Sequence, residues 1–95
     1  MKLPYTLRRN QQEIIDTIQK GLNSRNHLVI EAPTGSGKTF TSLASALPFA
    51  LDNDCRIIYC VRTNSQQDQV IRELKEFKKS GNNISAVAFI LHYFR

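Results

Sequence analysis

The chain has 95 residues, which leaves room for one small domain. Hydrophobic residues make up 41%, and no apolar run approaches the roughly 18 residues that a spanning helix requires, so a membrane protein of that kind is not expected. A net charge of +5, from 13 Lys and Arg against 8 Asp and Glu, favours a polyanionic partner such as nucleic acid without deciding for one. The opening MKLPYTLRRNQQ lacks the apolar core of a secretory signal, so an intracellular protein is expected, cytoplasmic in a prokaryote or nuclear in a eukaryote.

In chain order, NQQEIIDTIQKGL (10–22) puts Ile14, Ile15, Ile18 and Leu22 on one helical face. Asn10 with Glu13 can cap its start, and Gly21 and Asn23 mark its exit. HLVIEA (27–32) is short, apolar and β-branched, as expected of a buried parallel strand. The glycine-rich APTGSGKT follows, and a helix is expected from Gly37, ending near Leu47 or kinking at Pro48. RIIYCV (56–61) reads as a second buried strand, with Cys60 inside it.

In SQQDQVIRELKEFKKSG (65–81), Val70, Ile71, Leu74 and Phe77 form an apolar stripe. Ser65 and Asp68 offer a cap, while late lysines and Gly81 mark the end. ISAVAF (84–89) reads as a third strand. The order αβαβαβ predicts an α/β fold of parallel strands with helical crossovers. Cys55 and Cys60, the two cysteines, lie far from His27 and His92, and packing roles are expected for them rather than metal binding.

The chemistry sits in the glycine-rich stretch. Against the phosphate-loop pattern G-x-x-x-x-G-K-S/T, Ala32 takes the first position, followed by Pro33, Thr34, Gly35, Ser36, Gly37, Lys38 and Thr39. Gly35 and Gly37 allow a tight turn that aims backbone N–H groups inward, and the helix that follows adds its free N–H groups and positive dipole end. Lys38 can place a point charge on the β- and γ-phosphates of ATP, and the Thr39 hydroxyl can ligate Mg2+.

PTGSGKT resembles motif I of superfamily 2 helicases, and LRRNQ (7–11) resembles the L-R-x-x-Q element that precedes it in many of them. That resemblance implies that Gln11 reads the adenine edge, a task suited to an amide that both donates and accepts. Gln12 beside it competes for the role. IIYCVRTNSQQDQVIREL resembles motif Ia of the XPD-family helicases, in which a strand ends in R-T-x-x-Q before a long helix. The resemblance implies that Arg62, Thr63, Asn64 and Gln66 lie along single-stranded DNA, although RTNS also reads as a capped turn.

The resemblance spans about residues 4 to 89 and then breaks. The family continues into four cysteines that hold an iron–sulfur cluster, whereas this chain has no cysteine after Cys60. An acidic DEAH-like motif II is also missing. Asp52 and Asp54 precede a strand rather than following one, and do not replace it.

The resulting expectation is a partial RecA-like P-loop NTPase domain with an incomplete sheet. Residues 1–95 would be the N-terminal fragment of the first motor domain of an XPD-like, ATP-dependent DNA helicase, working with the remainder of the motor and inactive alone. A non-enzymatic nucleotide-binding fragment and another P-loop NTPase or translocase remain as alternatives.

Overall fold

The computed structural model describes residues 1–30, 37–86 and 88 of the chain. Three helices carry it: α1 (Arg9–Asn23), α2 (Lys38–Asp52) and α3 (Asn64–Lys79). Helix α2 is central and packs against both α1 and α3. The seam between them holds Ile15 of α1, Phe40, Leu43, Ala44 and Leu47 of α2, and Val70 and Phe77 of α3.

The spacing of these residues explains the arrangement. Phe40, Leu43, Ala44 and Leu47 recur at three and four residues, so one stripe of α2 faces its neighbours. Phe77 is fully buried and stacks on Phe40, with ring centroids 5.5 Å apart and planes 20° apart. Tyr5 then meets Phe40 edge-on at 5.0 Å, which brings the N-terminal segment onto the same core. Leu7, Leu74 and Ile84 close its margins.

Helix ends differ from those expected. Helix α1 starts two residues early, with Arg8 rather than Asn10 as N-cap and the Gln11 side chain accepting a hydrogen bond from the Arg8 N–H at 2.9 Å. Asn10 and Glu13 therefore lie inside the helix. Helix α2 runs through Pro48 to Asp52 instead of ending near Leu47. Proline removes a single ladder donor, and burial of Leu47 and Ala50 on either side offsets that loss. Helix α3 is capped by Thr63 with Gln66, two residues ahead of the Ser65 and Asp68 pair.

The expected α/β fold is not what the structure shows. Among the described residues there is no strand and no sheet, so the partial RecA-like domain with parallel strands and crossover helices is corrected to a three-helix packing. Residues 27–30, 56–61 and 84–86 are irregular. Residues 31, 32, 87 and 89 of the expected strands lie outside the described residues.

The reason is that a helix satisfies its own backbone, whereas a strand exists only through a ladder to a neighbour. The apolar character of these stretches does not supply that neighbour. Val29 and Ile58 stand almost wholly in solvent, 101% and 88% exposed, where burial had been expected. Cys60 is likewise exposed, as is Cys55.

Candidate nucleotide site at the start of helix α2

The N-cap of helix α2 is Gly37, which adopts a left-handed conformation with φ 73° and ψ 44°. Glycine reaches that region without the Cβ penalty that other residues incur. The Gly37 carbonyl accepts the first helical hydrogen bond, from the Thr41 N–H at 2.8 Å. No side chain caps this end, and its first turn contains no acidic residue. Such an end presents N–H donors and the positive pole of the helix dipole.

Lys38 is the first residue of α2, and its side chain is exposed. Thr39 follows, half-buried, with its carbonyl accepting from the Ser42 hydroxyl at 3.0 Å. The same hydroxyl meets the Tyr59 hydroxyl at 2.9 Å, which ties the irregular segment 55–61 to α2. Ala32, Pro33, Thr34, Gly35 and Ser36, the rest of the expected loop, lie outside the described residues.

Gln11 comes from a different helix to the same place. It is buried, and its Nε2 lies 2.7 Å from where a Cβ on Gly37 would stand. Its Oε1 accepts from the Arg8 N–H at 2.9 Å. Gln12, the competing residue, is exposed and donates to Asp16 at 2.7 Å on the outer face of α1. The structure thus brings Gln11, and not Gln12, against the start of α2.

Sequence reasoning missed Arg8. A guanidinium nitrogen of Arg8 lies 3.6 Å from the same Cβ position on Gly37, so a cation borders the helix start from the α1 side. The RR pair in LRRNQ was the available signal, since a helix N-cap is an unusual place for arginine.

The residues expected along DNA sit at the start of α3 and are all exposed. Thr63 Oγ1 accepts from the Gln66 N–H at 3.2 Å, while Gln66 Oε1 accepts from the N–H groups of Arg62 at 2.9 Å and Thr63 at 3.3 Å. Thr63 and Gln66 are therefore engaged in closing the helix end. Arg62 and Asn64 flank that closure.

Further along α3, the Glu73 carboxyl is raised above the usual carboxylate range, first by burial and then by Glu76. The Tyr5 hydroxyl and Arg72 act in the opposite direction. Burial, and then the charges of Glu73 and Glu76, also raise the Tyr5 hydroxyl.

With this geometry in place, comparison with known proteins decides the family. The profile of the family described as "Type III restriction enzyme, res subunit" matches residues 4–91. The chain belongs to that family. Among curated proteins it is 31% identical over 68 residues to the general transcription and DNA repair factor IIH helicase subunit XPD of Arabidopsis thaliana, covering 68% of this chain and 9% of the relative. It is 36% identical over 84 residues to the ATP-dependent DNA helicase YoaA of Haemophilus influenzae, covering 87% of this chain and 12% of the relative. It is 33% identical over 79 residues to the ATP-dependent helicase DinG of Mycobacterium tuberculosis, covering 82% and 12%.

The resemblance to XPD-family helicases therefore holds over most of the chain, which spans about a tenth of the length of these relatives. No solved structure matches it. Among the described residues, no helix is long and apolar enough to cross a membrane.

The donor set at the start of α2 fits ATP. An uncapped helix end bordered by Lys38 and Arg8, with no acid in its first turn, suits a polyphosphate, and the Gln11 amide suits a base. An iron–sulfur cluster does not fit this chain. Four thiolates are needed, and Cys55 and Cys60 are the whole supply.

Proposed function

We propose that the chain is the nucleotide-gripping part of an XPD-like, ATP-dependent DNA helicase motor. The observation that carries this reading is the meeting of Gln11 with Gly37 at the uncapped start of α2, next to Lys38, in a chain whose relatives are named ATP-dependent helicases. In this reading the first N–H groups of α2 and the Lys38 ammonium hold the β- and γ-phosphates. Ala32 to Ser36 supply the rest of the cradle, the Thr39 hydroxyl ligates Mg2+, and Gln11 recognises adenine through its side-chain amide, which can both donate and accept. Bound ATP with Mg2+ would supply the free energy that drives movement along DNA.

Single-stranded DNA is proposed to run past the start of α3, in contact with the Arg62 guanidinium and the Asn64 amide. Thr63 and Gln66 serve the same contact by keeping that helix end in shape, an assignment supported by their reciprocal hydrogen bonds.

The test is equilibrium titration of ATP and GTP, each with Mg2+, into the chain and into Gln11→Ala. ATP is expected to bind more tightly than GTP, and Gln11→Ala to weaken ATP by about fivefold, one net hydrogen bond, while leaving GTP unchanged. Equal loss for both nucleotides would remove Gln11 from base recognition. For the DNA contact, Arg62→Ala should weaken binding of a single-stranded oligonucleotide and flatten its salt dependence.

A further inference from the structure

The start of α3 is only one end of a longer polar strip. Ser65, Gln69, Arg72, Lys75 and Lys79 recur at three- and four-residue spacing and are all exposed, so they line one side of the helix over about 21 Å. Two open concavities follow this strip, and Arg72 and Lys75 line both of them. One also takes in Ser65 and Asp68, next to Arg62 and Asn64 in the chain. The larger, of about 530 Å3, is closed from the N-terminal segment by Tyr5.

The charges along the strip do not cancel. Neither Arg72 nor Lys75 forms an ion pair among the described residues, so both cations are open to an outside anion. Of the nearby acids, Glu76 is paired with Lys79 at 3.5 Å. Glu73 turns inward: its Oε2 is buried without a hydrogen-bond partner, and burial favours its neutral form. Asp68 is exposed at the near end and opposes an anion there.

Tyr5 adds a second chemistry. Its ring is 45% exposed, yet it is held against Phe40 with centroids 5.0 Å apart. A fixed, half-exposed ring beside two cations suits a single strand, whose phosphates meet the cations while a base stacks on the ring. A duplex keeps its bases inside and offers none to stack.

We propose that the single-stranded DNA path continues along α3, with Arg72 and Lys75 taking backbone phosphates and Tyr5 stacking a base. The proposal rests on the reading of Arg62 and Asn64 as DNA contacts and extends it by three residues.

The experiment is fluorescence anisotropy of two labelled single-stranded oligonucleotides, one of thymidines and one of equal length with abasic sugars. Each is titrated with the 95-residue chain and its variants over a range of salt concentrations. Arg72→Gln combined with Lys75→Gln should lower the slope of log affinity against log salt by about 1.4 for both strands, the value of two single-strand phosphate contacts. Asp68→Asn should tighten both strands about twofold to threefold.

Tyr5→Leu should weaken the thymidine strand about tenfold and leave the abasic strand as it was, and Tyr5→Phe should restore the affinity. Arg72 and Lys75 are exposed, so their variants keep the test valid if Tyr5→Leu folds poorly. An unchanged salt slope in the double variant would overturn the phosphate contacts, and equal losses on both strands in Tyr5→Leu would overturn the base contact. In either case a slope still lowered by Arg62→Ala would leave the DNA reading at the start of α3 standing. Failure of the unaltered chain to bind either strand would overturn that reading, and the inference with it.

Discussion

Helices α2 and α3 are nearly equal in length but begin in opposite ways. Helix α3 closes its own start, with Thr63 and Gln66 exchanging hydrogen bonds across the first turn. Helix α2 starts from a left-handed glycine with no side-chain cap, and the Gln11 and Arg8 side chains approach that glycine from the start of α1. A capped end gains stability from its own sequence, typically about 1 kcal/mol. An uncapped end forgoes that and keeps its donors for something else. The difference separates a helix end built for holding its place from one suited to holding an anion.

The largest way to break the contrast is at Gly37. Gly37→Ala adds a Cβ in a left-handed conformation, costing about 1–2 kcal/mol, and presses on Gln11 Nε2. A lower unfolding midpoint and weaker ATP binding are both expected, read by thermal denaturation and nucleotide titration. Retained stability and affinity would mean the start of α2 does not depend on glycine.

A smaller change sharpens the other side. Thr63→Ala should cost about 1 kcal/mol of stability by leaving the Gln66 N–H without its acceptor. ATP affinity should stay as it was, because the loss falls at the start of α3 alone. A fall in ATP affinity equal to that of Gly37→Ala would erase the distinction between the two helix ends.

The smallest expected effect is a pH dependence in α3. Burial raises the Glu73 carboxyl in the folded chain, so folding favours its protonated form. That contribution is fully present below the ordinary carboxylate value and is lost as pH rises through the raised one. Glu73→Gln holds the neutral form throughout. The unaltered chain should therefore melt below the variant at neutral pH and approach it as the solution is acidified. Melting curves that stay parallel across that range would contradict the assignment.

The helices were legible in the sequence because their evidence is local. Ile15, Phe40 and Phe77 lie on apolar faces with helical spacing, and α1 and α3 begin within two residues of their expected starts. The capping of α3 was legible too, since T-x-x-Q at Thr63 to Gln66 is as good a signature as the Ser65 and Asp68 pair beside it. The strands were not. Val29 and Ile58 have the β-branched character of buried strand residues, but that pattern describes a position that would suit them and not whether a partner strand is there.

At the candidate site, the motif located Gly37, Lys38 and Thr39, and the resemblance pointed to Gln11. Choosing between Gln11 and Gln12 needed the fold, because neighbouring residues on a helix point in different directions.

The central claim is that the start of α2 grips a nucleoside triphosphate through Lys38. The direct measurement is titration of ATP with Mg2+ into the unaltered chain and into Lys38→Ala under identical conditions. Loss of a charge-assisted contact should weaken binding by about tenfold or more. Equal affinity in the two proteins would contradict the account.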